Sequence, residues 1–263
     1  MADSLADADQ QVTGFDADTA QRLGDMAALV SSGVPPQAAA LRVRVRDEGV
    51  EAERMEATLG DVDALARAAV GFDVDELNRV LEENFALGTL DEVVDGWLLP
   101  ALHRLGVAWA DGRVSVAEEH FVSASVQRRL ARAYDETPRP SEGPQVLIGL
   151  ASGSRHELGV LAFATALRQR GVDTVYLGGD VPVAAWVEAV QQRHPDGVVI
   201  AVPGREDVVG SRELVAALAE VAPDLSVMVG GSQQDLITDH VTRLGHQMVA
   251  AADRLAGALL AKL

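Results

Sequence analysis

The chain has 263 residues, enough for two cores of ordinary size, and a formal net charge of −18 that repels a phosphate backbone before contact can form. Direct binding of nucleic acid is therefore not expected, and the absence of cysteine excludes disulfides, thiolate metal ligands and a cysteine nucleophile. The acidic start MADSLADADQQ lacks a signal pattern, and no apolar run approaches the roughly 20 residues that span a bilayer, so a cytoplasmic protein without a membrane partner is the expectation.

In chain order, residues 1–14 read as a polar, disordered tail. Residues 15–60 hold a helical hairpin. Asp16 or Asp18 can cap its first helix, whose apolar positions Leu23, Met26, Ala27 and Val30 recur at steps of three and four until Gly33. Pro35 and Pro36 suit the first turn of its second helix, 35–47, where Arg42, Arg44 and Arg46 form a short solvated basic run. Residues 61–136 read as a four-helix bundle with short connections. Asp61 and Asp73 are expected to cap helices 62–70 and 74–87, and Gly71 and Gly88 to stop them. Thr89 opens the third helix, which passes core Trp97 and is expected to kink or break at Pro100. After the Asp111-Gly112 turn, Ser115 opens the fourth, with Glu118 at capping-box spacing.

The proline-rich TPRPSEGP, 137–144, is a linker. Beyond it, 145–263, strands and helices alternate. An apolar strand 146–150 leads through a small-residue loop carrying His156 into a helix marked by Val160, Phe163, Ala164 and Leu167, and a second strand, 172–177, ends at Gly178-Gly179-Asp180. A helix 183–192, a strand 197–202, a helix 211–221, a strand 225–229 ending at Gly230-Gly231, and a helix 246–262 complete the pattern. This is a doubly wound, flavodoxin-like parallel sheet behind an N-terminal all-α bundle. No clear fifth strand is visible, and 235–241 has room only for a very short one. In such sheets ligands bind beyond the carboxyl ends of the strands, which is where His156 falls. A neutral imidazole is a good transition-metal ligand, and Gly153, Ser154, Gly159 and Ala162 around it are small enough to admit a large flat group.

Ser154-Arg155-His156-Glu157-Leu158-Gly159, with the glycine pairs that follow, resembles the cobalamin-binding domain, whose motif is Asp-x-His-x-x-Gly. The histidine and glycine match, and serine stands where the family has its acid. The resemblance implies a corrinoid held with His156 as lower cobalt ligand and its nucleotide tail in a slot lined by Gly230 and Gly231. Gly159, Gly178, Gly179 and Asp180 complete the implied cofactor contacts. A serine beside the imidazole is expected to leave it less basic than an acid would, with Ser154 accepting the ring N–H. After the third strand the chain reads Ala201-Val202-Pro203 where the family tends to have Ser-x-Leu, so a hydroxyl contact to the tail is absent there.

The helical half adds Trp109, Glu119 and His120 in the spacing W-x9-EH. That pattern resembles adenosylcobalamin-dependent photoreceptors of the mercury-resistance-regulator class. It implies Trp109 against the adenosyl group, Glu119 on its ribose, and His120 as upper cobalt ligand after light. The hairpin resembles the closing helices of that class without its DNA-reading helix, as in stand-alone photocobilins, which can hold a bilin such as biliverdin. The implied protein is a non-enzymatic homo-oligomeric light sensor signalling to an unknown protein partner. Two rivals are a corrinoid methyl carrier of a methyltransferase system, with the same bundle-plus-sheet layout, and a cofactor-free interaction module. His103, His194, His240 and His246 need no special role, and adjacent acids such as Glu82-Glu83 or Glu118-Glu119 cannot both enter one site from a helix, which disfavours a two-carboxylate hydrolase.

Overall fold

The computed structural model describes residues 17–32, 34, 39, 40, 43, 58–238 and 240–262. Helix α1, Ala17–Ser31, has the expected start and length. Its apolar stripe is not a core face. Leu23 and Val30 are exposed, Met26 is half-buried, and among residues 21–31, whose burial is described, none joins either core cluster. Of the second expected helix only 39, 40 and 43 are described, all helical, with Ala39 and Val43 buried; the tail and the three arginines lie outside the described residues.

The bundle comprises α2 (Ala64–Ala69), α3 (Val74–Phe85), α4 (Leu90–Val93), α5 (Leu99–Ala110) and α6 (Val116–Glu136). Its ends follow the cap chemistry in the sequence. Asp73 accepts from the Glu76 amide at 2.9 Å, and Ser115 and Glu118 exchange bonds as a capping box while Glu118 also accepts from the Gly71 amide. Asp61 instead accepts from the Asp63 amide, so α2 begins two residues later than expected.

The local irregularity expected at Pro100 is present in the turn just before it. Between α4 and α5 lies a π-turn, Val94–Leu98, in which the Leu99 amide reaches back five residues to Val94 O. The wider turn makes room for the proline ring. Gly96 O, which would accept from residue 100 in a regular helix, accepts instead from the Thr58 and Leu59 amides at 3.1 Å each. Trp97, fully buried one residue on, donates to Asp61 O at 2.9 Å and meets Phe85 edge-on.

The sheet is fully parallel in the order β2-β1-β3-β4-β5: Asp173–Val181, Gln145–Ala151, Gly197–Ala201, Ser226–Gly230 and Thr242–Arg243. β5 is only two residues long and follows the segment considered for it. Helices α7 (Leu158–Gln169) and α10 (Met248–Leu260) join the bundle in one continuous core. Helices α8 (Val183–Arg193) and α9 (Asp207–Val221) cover the other face around fully buried Trp186. With both faces covered, the central strands β1, β3 and β4 are apolar beyond their first residues, as a parallel sheet requires.

The bundle is docked through charged and aromatic contacts. Asp95 accepts from the Met248 and Val249 amides at 2.9 Å each, capping α10, and Arg170 bridges Asp91 and Asp253 at 2.6 Å each. The segment 137–144 contains no helix or strand, yet Arg139 pins it to Asp173 on β2.

Candidate corrinoid site at the switch point

Strand order reverses between β1 and β3, so the crevice expected in this topology opens where their carboxyl ends part. The His156 loop leaves β1 there. Two anchors on β2 hold it. Asp180 accepts from the Gly153 amide (2.7 Å) and from Arg155 (3.1 Å), while its own amide donates to Ser154 O (2.7 Å). The Gly153 amide and the Arg155 guanidinium hold the Asp180 carboxyl below its usual range. The second anchor is Tyr176, whose hydroxyl donates to Glu157 at 2.7 Å. Burial, reinforced by that carboxylate, pushes the Tyr176 phenol well up, so it remains a donor.

Between these anchors the His156 side chain is 64% exposed, and its Nε2 lies 4.0 Å from Glu206 Oε1, across the switch point in the loop after β3. Ser154 is fully buried and its hydroxyl has no hydrogen-bond partner. An orphaned hydroxyl two residues before an exposed imidazole suits the position held by the family's acid, since it can accept a ring N–H. A Cβ at Gly153 or Gly159 would meet nothing within 4 Å, leaving open space around the loop and the start of α7. Among the described residues no three His, Asp or Glu side chains gather to hold a bare metal ion. A metal at His156 would need its remaining donors from outside these side chains, as the ring nitrogens of a corrinoid would provide.

The other glycines divide. A Cβ at Gly179 would come within 3.0 Å of Ser154 O and 3.1 Å of Glu157 Cγ, and Gly178 has φ +84°. These glycines let the His156 loop lie against β2. Gly231, at φ +95°, would place a Cβ 2.6 Å from Val202 O, so its lack of a side chain serves strand-end packing. Gly230 is roomier, with Leu244 at 3.6 Å from a Cβ built there. Asp180 serves as a staple of the loop.

In the bundle, Trp109 is 7% exposed in the last turn of α5, and its carbonyl accepts from the Gly112 amide. Glu119, in the first turn of α6, accepts from the Ser123 hydroxyl at 2.5 Å and from His120 Nδ1 at 2.7 Å. The His120 side chain is 75% exposed. With Nδ1 engaged by a carboxylate, Nε2 is the nitrogen available to a ligand. Glu119 and His120 are thus brought together; neither bonds Trp109 or the His156 loop. Tyr134, Arg168, Tyr176, Glu157 and Glu206 were not singled out from the sequence. A tyrosine inside an apolar strand was the signal available, because a buried phenol needs a partner.

Residues 62–134 and 144–257 match two family models, each described as a B12 binding domain. Among curated proteins the chain is 34% identical over 182 residues to the HTH-type transcriptional repressor CarA of Myxococcus xanthus, covering 69% of this chain and 61% of that protein. It is 30% identical over 171 residues to the HTH-type transcriptional repressor CarH of the same organism, covering 65% and 57%. The chain thus spans about three fifths of the length of these relatives. The monomethylamine corrinoid protein of Methanosarcina barkeri shares the fold, with a TM-score of 0.56 at 16% identity over 79% of this chain and 99% of that one. No helix among the described residues is long and apolar enough to cross a membrane. Over residues 62–134 and 144–257, the protein is therefore built of B12-binding domains, one helical and one on the parallel sheet.

Proposed function

We propose that the protein is a non-enzymatic light sensor that holds adenosylcobalamin between the bundle and the carboxyl edge of the sheet, and signals by bundle movement or altered self-association to a protein partner. One observation carries this reading: an exposed His156 at the switch point, in the His-x-x-Gly frame, with an unsatisfied buried hydroxyl at Ser154. The 34% identity to a transcriptional repressor supports a regulatory role. Bound adenosylcobalamin would supply a cobalt–carbon bond that visible light breaks. His156 would be the lower ligand, with Ser154 accepting its ring N–H. Trp109 and Glu119 would hold the adenosyl group, and His120, aimed by Glu119, would offer Nε2 on the upper side in the lit state. Gly230 would face the nucleotide tail. A bilin would be a second chromophore beyond this site, tested by adding biliverdin to the same titration.

The deciding experiment titrates apoprotein with adenosylcobalamin and with methylcobalamin, in darkness and then under visible light. Tight dark binding of adenosylcobalamin, a light-dependent absorbance change and a shift in oligomeric state are expected. His156→Ala should weaken dark binding by at least the roughly 10- to 100-fold that loss of a ligating histidine's supporting partner costs, whereas His120→Ala should spare dark binding and alter the lit spectrum. Absence of corrinoid binding, or a spectrum indifferent to light, would overturn the proposal. The second reading, a methyl carrier, draws on the fold shared with the monomethylamine corrinoid protein. It predicts a preference for methylcobalamin and indifference of adenosylcobalamin binding to Trp109→Ala.

A further inference from the structure

Two tyrosines outside the motif set join the bundle to the His156 loop. Tyr134, in the last turn of α6, lays its hydroxyl on β2, donating to Thr174 O at 2.8 Å and accepting from the Tyr176 amide at 3.3 Å. Arg168 of α7 locks this end of the helix. Its guanidinium carbon lies 3.6 Å from the Tyr134 ring centroid, and its Nη1 and Nη2 donate to Tyr134 O (3.1 Å) and Thr174 O (2.7 Å). The Tyr176 ring is 6.0 Å from that of Tyr134, and its hydroxyl reaches Glu157, the residue after His156.

The loop needs such a fastening. Gly153 has φ +85° and open space around it, and the His156 side chain is largely exposed, with Glu206 Oε1 4.0 Å from its Nε2. The direction of the imidazole is therefore set by the two ends of its loop, Asp180 holding one and Glu157 the other. Gly179 admits Glu157 against β2, with 3.1 Å to its Cγ from a Cβ built at that glycine. We propose that Tyr176 and Glu157 are positioning residues for His156, and that Tyr134 makes this positioning depend on how the bundle is docked. Its consequence for cobalt rests on the reading of His156 as the lower ligand; the mechanical link does not.

Tyr176→Phe and Tyr134→Phe remove single hydroxyls while keeping ring packing, and two measurements test them. In cofactor-free protein, amide hydrogen exchange across 152–157 should rise about tenfold in Tyr176→Phe, as expected for loss of a local anchor. Tyr134→Phe should shift it the same way by less, and β3 and β4 should stay at wild-type rates. The double variant should add little to Tyr176→Phe, since the two hydroxyls act in series. Glu157→Gln, which keeps an acceptor oxygen, should retain slow exchange. Unchanged loop exchange in both single variants would overturn the link. In protein loaded with adenosylcobalamin in the dark, Tyr176→Phe should move the absorbance spectrum from the histidine-on toward the histidine-off form and weaken binding about tenfold. A histidine-on spectrum unchanged by Tyr176→Phe would overturn the positioning role. Failure of wild type to bind corrinoid would sink the cobalamin reading, while the exchange measurement would still decide the link.

Discussion

Replacing Arg170 by methionine should loosen the docking of bundle on sheet by an amount the structure lets one work out. Arg170 is 21% exposed and donates to Asp91, which is only 7% exposed, and to Asp253, which lies largely in solvent. Burial works to raise the Asp91 carboxyl, but hydrogen bonds from Thr89 and Arg170 outweigh it and leave the group below its ordinary value. Removing one partner of a buried ion pair costs about 3–5 kcal/mol. Asp91 would keep the Thr89 hydroxyl at 2.7 Å and the Glu92 amide at 3.1 Å. Methionine preserves the aliphatic packing, and the screened Asp253 contact adds less than about 0.5 kcal/mol, so a loss of about 2–3 kcal/mol is expected. That corresponds to a fall in melting temperature of roughly 6 °C for a chain of this size. Urea unfolding followed by circular dichroism at pH 7 measures it, with Asp91→Asn added to Arg170→Met recovering at least half of the loss by removing the stranded charge. Because the folded-state value of Asp91 is depressed, its contribution is complete above the unfolded value of about 3.9 and is lost as pH falls through the folded value. The gap between wild type and Arg170→Met should therefore close below about pH 4. An Arg170→Met variant within about 0.5 kcal/mol of wild type at pH 7 would refute this account of the docking.

Other outcomes follow from the same structure. Trp97→Ala empties the centre of the bundle and strands Asp61 O, and should cost about 3–5 kcal/mol in the same assay; less than about 1 kcal/mol would mean the bundle recloses around the gap. Gly231→Ala sets a Cβ against Val202 O in a left-handed backbone, so destabilisation of at least about 1–3 kcal/mol is expected by thermal melting, and a neutral result would show that the strand end can shift. Burial raises the Asp95 carboxyl despite the two α10 amides that bond it. Its contribution to stability is therefore largest below the unfolded value of about 3.9 and declines as pH rises through the folded one, so Asp95→Asn should flatten stability against pH above that unfolded value. An identical pH profile in wild type and Asp95→Asn would contradict that sign.

What the sequence determined alone is what neighbouring residues determine together. Helical period, the cap at Asp73, the capping box of Ser115 and Glu118, and the alternation of strand and helix beyond residue 144 are contacts within a few residues, and all are present in the fold. The placement of His156 beyond a strand end followed from that alternation, because topology fixes where the crevice lies. Tertiary structure decided what pairs at long range. β5 exists only through its register with β4, Met228 to Thr242 and Val229 to Arg243, which two residues cannot announce by periodicity. Pro100 is tolerated because Thr58 and Leu59 take the carbonyl it leaves free. α9 starts at Asp207, four residues ahead of the sequence expectation, with Asp207 accepting from the Gly204 amide. Leu23 and Val30 have the spacing of a buried face but remain exposed, since period marks one side of a helix without supplying the surface that covers it. The same holds at the candidate site. The sequence supplies His156 and Ser154, but the opposing Glu206 lies 50 residues on and the anchoring Tyr176 lies 20 on, so their meeting is a property of the packed sheet and not of any local stretch.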